Sequence, residues 1–157
     1  MIPKAAFRPA VMLPALRPIV HAIATTVVPE TSSLDDRAWA ELDAVMDSAL
    51  AQRDERVRHQ LATFVRLLQM MPLIRYGRRF TALNARQRTA FLESIERSRL
   101  LLLRRGFWGL RTLIYMGYYT RDDVAESIGY HAHADGWAAR GGTVASVPLT
   151  PQLWVEP

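Results

Sequence analysis

Apolar residues recur along this chain at intervals of three and four, from near its start to about residue 128. That spacing lines them up on one side of an α-helix rather than on alternate faces of a strand. Leu16, Val20, Ile23 and Val27 mark a first helix over residues 12–28, with Pro14 and Pro18 in its opening turns or just before them. Residues 28–33, which include Pro29, read as a loop. Ser33 followed by Asp36 resembles a helix start, and the second helix then buries Trp39, Leu42, Met46 and Leu50. A third covers residues 55–71, with Leu61, Phe64, Val65, Leu68 and Met71 inside and Arg58, Arg66 and Gln69 outside, until Pro72 ends or bends it. Asn84 and Gln87 open a fourth helix carrying Phe91, Ile95, Ser98 and Leu102 on one face. An aromatic-rich helix follows, and Thr120, Asp122 and Asp123 cap a short one ending near Ile128. Beyond Gly129 the periodicity gives way to scattered glycines and prolines, among them Gly136, Gly141, Gly142, Pro148 and Pro151. Residues 143–147 would form a strand only against an edge supplied from outside the chain. The expected fold is all-α: a small helical domain of about five to seven helices over residues 1–142, then an irregular, partner-wrapping tail over residues 143–157.

The aromatic-rich helix does not fit the usual pattern of one apolar stripe and one polar face. In GFWGLRTLIYMGYY, residues 106–119, Trp108, Thr112, Tyr115 and Tyr119 line one side. Gly106, Leu110, Leu113 and Gly117 line the opposite side. Both sides ask for cover, and 157 residues offer few other helices to provide it. The two glycines permit close approach by another element, at a helix-propensity cost of about 1 kcal/mol each. A single aromatic stripe is more often core than interface. Two apolar faces on one helix, with Tyr130, Trp137 and Trp154 in a tail of weak intrinsic structure, shift the balance toward a partner. Tyr and Trp dominate buried contact patches. The expected partner interface is therefore built from Trp108, Tyr115, Tyr119, Tyr130, Trp137 and Trp154.

Composition narrows the class. Half the residues are hydrophobic and 22% charged, as in an ordinary single globular domain. With no cysteine, disulfides, thiolate metal sites and cysteine catalysis are excluded. The net charge of +5 raises the question of nucleic acid. However, all but Lys4 of the 20 basic residues are arginine, and arginines are interleaved with acids, as in Asp54-Glu-Arg56 and the Glu93–Arg97 pair. One window, Arg75, Arg78, Arg79, Arg86 and Arg88, has no acid within it and reads as a solvated or partner-facing patch. No nucleic-acid partner is expected. No apolar run approaches the ~18–20 residues of a membrane span, so no transmembrane segment is expected. The stretch before residue 18 is broken by Pro9, Pro14 and Arg17, and no arginine pair lies near it. The sequence as it stands points to the cytoplasm, with the periplasm as the alternative if the chain travels with a partner or has lost a leader.

Candidate chemistry is sparse. His131, His133 and Asp135 are the one cluster of metal-ligand residue types, but they sit beside glycines with no further histidine downstream. His21 lies in an apolar helix with no Ser, Asp or Glu three or four residues away, and reads as a satisfied core or interface histidine. His59, between Arg58 and Gln60, reads as solvated. There is no nucleophile elbow, P-loop or dinucleotide fingerprint. The pairs Asp35–Asp36 and Asp122–Asp123 stand at helix starts, where the helix dipole accounts for them. No catalytic, cofactor-binding or metal residue is therefore expected in this chain. Two competing readings remain: a metal protein built on His131, His133 and Asp135, and a basic nucleic-acid or membrane-surface module built on residues 75–88.

The run Phe91-Leu, Arg105-Gly-Phe-Trp-Gly-Leu, Tyr115-Met-Gly-Tyr-Tyr, Ile128-Gly-Tyr and Gly136-Trp, together with the opening helix that runs into Val27-Val-Pro-Glu, resembles the gluconate 2-dehydrogenase subunit 3 family. The likeness covers roughly residues 13–142, and its specificity lies in residues 106–130. It implies a non-catalytic helical partner of an FAD-dependent dehydrogenase of the glucose–methanol–choline type. In such complexes the large subunit holds the FAD and oxidises a sugar or alcohol hydroxyl, and a cytochrome c subunit often accepts the electrons. The small subunit supports folding of the large one and in many members carries a twin-arginine signal, which does not precede Met12 here. The resemblance also implies a proline-rich version of residues 130–136, where this chain has His131 and His133 instead.

Overall fold

The computed structural model describes residues 14–129. These form seven α-helices: α1 Arg17–Val27, α2 Asp36–Ala51, α3 Glu55–Met70, α4 Pro72–Tyr76, α5 Ala85–Glu96, α6 Leu101–Tyr119 and α7 Asp122–Ser127. Three short 3-10 turns, Pro14–Leu16, Pro29–Ser33 and Phe80–Ala82, join or precede them, and there is no strand among the described residues. The all-α expectation holds. The tail and the strand proposed for residues 143–147 lie outside the described residues.

The helix ends follow local chemistry, not always at the residues the pattern marked. α1 begins later than residue 12, at Arg17, with Pro18 in its first two positions. It ends at Val28, whose backbone leaves the helical region (φ −128, ψ 87) because Pro29 disfavours that region for the residue before it. Residues 29–33 are a 3-10 turn rather than an irregular loop. There the hydroxyls of Thr31, Ser32 and Ser33 donate back to the carbonyls of Val28, Pro29 and Glu30. Ser33 is thereby committed, and Asp35 instead caps α2, its Oδ1 accepting the Ala38 N–H at 2.8 Å. At α5 the expected signal is complete: the Asn84 side chain accepts the Gln87 N–H and Gln87 accepts the Asn84 N–H, a reciprocal capping box.

Two phase assignments fail for a common reason. Gln69 does not face solvent; its amide donates to the Thr81 hydroxyl at 2.8 Å and accepts the Thr81 N–H, pinning the 80–82 turn to α3. α5 stops at Glu96, so Leu102 belongs to α6 and is 82% exposed. No Gly or Pro marks that break in Arg97-Ser-Arg-Leu. It arises because α5 and α6 fold onto each other as a helical hairpin.

α1 lies at the centre of the fold, touching α3, α5 and α6, while α2 packs along α6. The core joins Val20 and Ile23 of α1, Leu42 and Met46 of α2, Val65 and Leu68 of α3, and Leu110 and Ile114 of α6, all without solvent access. Phe80 fills the space beside α3 and α5 against Phe91, with ring centroids 5.8 Å apart. Trp39, expected inside, is only half-buried. It lies flat on the His21 ring at a centroid distance of 4.0 Å.

Candidate partner interface

α6 is 19 residues long, roughly 28 Å at 1.5 Å per residue, and its two faces have different environments. On the inner face both glycines stand where another side chain would collide. A Cβ on Gly117 would lie 2.9 Å from the Leu42 side chain and 3.1 Å from the Leu42 carbonyl oxygen. A Cβ on Gly106 would lie 2.8 Å from the Phe64 ring. The close approach read from the sequence is therefore made within this chain, by α2 and α3. With Leu110 and Ile114 between the glycines, this face is sealed.

The outer face is open. Trp108 is 64% exposed, Tyr119 46% and Tyr115 37%, and Met116 and Leu101 stand out beside them. The tyrosine rings are already ordered against one another. Tyr119 meets Tyr115 edge-on at 5.9 Å and Tyr118 at 5.1 Å. The Arg111 guanidinium lies 5.8 Å from the Tyr115 ring centre and bonds Glu96 of α5 at 2.6 Å. Beside Trp108 runs an open groove of about 350 Å³, floored by Phe107 and Leu101 and edged by Arg104, Arg105, Arg111 and Glu96. Preordered rings with cationic edges are the residue types that carry binding energy when desolvated. Of the predicted interface residues, the structure brings Trp108, Tyr115 and Tyr119 onto this one face. Tyr130, Trp137 and Trp154, like His131, His133 and Asp135, lie outside the described residues.

α7 borders the far end of the stripe. Thr120 does not cap it, since its hydroxyl turns back to the Met116 carbonyl; Arg121 occupies the cap position instead. Arg121 grips Asp123 through two hydrogen bonds of 3.0 and 2.7 Å. These bonds, more than any other influence, raise the Arg121 pKa and hold the Asp123 carboxyl below its usual range. The Tyr118 phenol is pushed up, first by burial and then by the Glu30 charge. The pair helps line an open groove of about 490 Å³ between α2 and α7, with Asp35, Arg37 and Glu41 opposite.

One polar cluster escaped the sequence. His21 Nε2 lies 2.9 Å from Asp43 Oδ1, and Arg17 reaches Asp43 and Asp47 at 3.6 Å each. Asp43 is 6% exposed. A search three and four residues from His21 could not reach a partner 22 positions away. The available signal was Asp43 itself, a carboxylate on the same turn as Leu42 and Met46 that needs a partner to be buried. Trp39 covers the imidazole and Asp43 holds it, so the cluster ties α1 to α2. Among the described residues no group of three or more His, Cys, Asp or Glu could hold a metal ion, and no helix is long and apolar enough to cross a membrane.

The comparison with protein families decides the relationship: the family model described as gluconate 2-dehydrogenase subunit 3 matches residues 15–136. The chain belongs to the gluconate 2-dehydrogenase subunit 3 family. No curated protein and no solved structure gives a match. The family's name is that of a subunit of a dehydrogenase complex, so partner chains are part of its description. The match spans the whole of α6 and its sealed and open faces.

Proposed function

We propose that this chain is the small, non-catalytic subunit of a sugar- or alcohol-oxidising dehydrogenase complex. In this reading it binds, stabilises and helps fold the FAD-containing catalytic subunit, a flavoprotein of the glucose–methanol–choline type. A cytochrome c subunit receiving the electrons completes the assembly. The observation that carries the reading is the outer face of α6. It presents Trp108, Tyr115, Tyr119 and Met116 to solvent, while the opposite face is already used up by α2 and α3. Hydrophobic surface of this kind gains by being covered, and rings held by neighbouring rings lose little conformational entropy on docking. A preformed helical face can shield the apolar surface of a folding flavoprotein until FAD is bound. The flavin and the reacting hydroxyl then belong to the partner, and family membership supports an accessory role.

The test is co-expression of the catalytic subunit with and without this chain, reading soluble yield, FAD content and turnover. All three should fall several-fold without it. A catalytic subunit that folds, binds FAD and turns over equally well alone overturns the proposal.

A further inference from the structure

A second helical segment carries large apolar side chains on both its inner and its outer side. α4 follows α3 directly, with Met71 between them keeping helical angles (φ −54, ψ −38). Its inner side supplies Val65, Leu68 and Pro72 to the core. Its outer side carries Leu67, Met70, Leu73 and Ile74, which are 45%, 46%, 38% and 95% exposed. At 100° per residue these four fall within one sector of about 120°, and Arg66 falls in it too. Arg75 follows, and Arg78 and Arg79 project just past Gly77, the left-handed cap (φ 63) that ends α4.

Along this stretch of chain the charge is of one sign. Between Glu55 and Glu93 the chain has no acid at all, while eight of its arginines fall there. Arg66, Arg78 and Arg79 are exposed and form no ion pair among the described residues. Outside that stretch Arg37 pairs with Glu41, Arg111 with Glu96 and Arg121 with Asp123, while Arg53, Arg99, Arg104 and Arg105 form no ion pair among the described residues. Unlike Trp108, Tyr115 and Tyr119 of α6, these exposed side chains are not aromatic, and Ile74 is almost fully free. Exposed apolar residues ringed by unpaired arginines match a negatively charged interface with a shallow apolar layer beneath it. An acidic protein surface offers the charge without that layer, and aromatic anchors, which protein contacts favour, are lacking among these outward-facing residues.

We propose that the α3–α4 corner docks on an anionic lipid surface, with Ile74, Leu73 and Met70 entering the headgroup boundary and Arg66, Arg75, Arg78 and Arg79 engaging the phosphates. This surface is distinct from the α6 face and goes beyond the subunit role. The full-length chain, alone and with its catalytic subunit, is sedimented with vesicles of phosphatidylcholine and with vesicles in which about a third of the lipid is phosphatidylglycerol. Binding is expected only to the anionic vesicles and fades as salt rises. Arg78→Gln and Arg79→Gln each lower partitioning roughly fivefold, the equivalent of about 1 kcal/mol per surface arginine. Ile74→Asp lowers it further. Trp108→Ala leaves vesicle binding intact, so failure of this inference and failure of the subunit reading can be told apart. Because the chain has no cysteine, Ile74→Cys also gives a single site for an environment-sensitive fluorophore, whose emission shifts to the blue on adding anionic vesicles. No sedimentation, or equal sedimentation with neutral lipid, overturns the proposal. So does a probe at position 74 that is shielded before lipid is added, which makes another segment of the chain the occupant. A probe shielded by the catalytic subunit instead of by vesicles overturns it in favour of a protein surface.

Discussion

Gly106 and Trp108 stand two residues apart on α6 and meet opposite environments. Gly106 lies so close to the Phe64 ring that not even a methyl group fits without movement, while Trp108 holds its indole largely in water. The same division runs to the end of the helix, with Gly117 pressed against Leu42 and Tyr119 left outside. A helix that gives up propensity at two glycines gains close packing on one side only. Its other side keeps large rings that contribute little to the stability of the free chain. The contrast separates two uses of apolar surface in one element: the inner face holds the domain together, and the outer face is available to something else.

Substitutions on the two faces should therefore report on different quantities. The largest effect is expected for Leu110→Ala, which opens a cavity at a position with no solvent access; chemical denaturation should show a loss of about 3 kcal/mol. Gly117→Val comes next. Its Cβ meets the Leu42 backbone carbonyl, which cannot rotate away as a side-chain tip can, so overpacking should cost about 2 kcal/mol despite the better helix propensity. Trp108→Ala should leave the midpoint of the isolated chain within about 0.5 kcal/mol of wild type. It should nevertheless weaken capture of the catalytic subunit about tenfold in a binding titration, a loss of some 1.4 kcal/mol. A Trp108 variant that unfolds the free chain would erase the distinction between the faces.

The smallest effect concerns pH at the far end of α6. The folded-state pKa of Asp123 lies below its ordinary value, first because Arg121 donates hydrogen bonds to the carboxylate. The folded state therefore prefers the charged form, and its contribution is present above the usual aspartate range and fades as pH falls through it. Comparing thermal midpoints near pH 6 and pH 3, Asp123→Asn should lose less than wild type on acidification. A loss of the same size in both would mean that the Arg121–Asp123 bonds do not contribute to docking α7.

Much of this was legible in local sequence. The Asn84–Gln87 capping box formed because both partners lie within one turn, where no distant contact competes for them. The two-faced character of α6 was readable because helical spacing alone separates Trp108, Tyr115 and Tyr119 from Gly106, Leu110 and Gly117. Where the reading went astray, a contact from far along the chain had intervened. Gln69 turned inward to hold Thr81, and Leu102 left its expected face when the α5–α6 hairpin formed. The Arg17–His21–Asp43 cluster was invisible to any short-range search, since its members meet only once α1 and α2 are packed.

Local sequence already carried the helical class, the starts of α3 and α5, and the two apolar faces of α6, because these follow from capping chemistry and a 3.6-residue repeat. Which of those faces is sealed was decided only in three dimensions. Leu42 and Phe64 approach from distant segments to close the glycine side, and among the described residues no helix covers the other. The α3–α4 corner obeys the same rule: its inner and outer residues look alike in sequence, and only the packing of the core divides them.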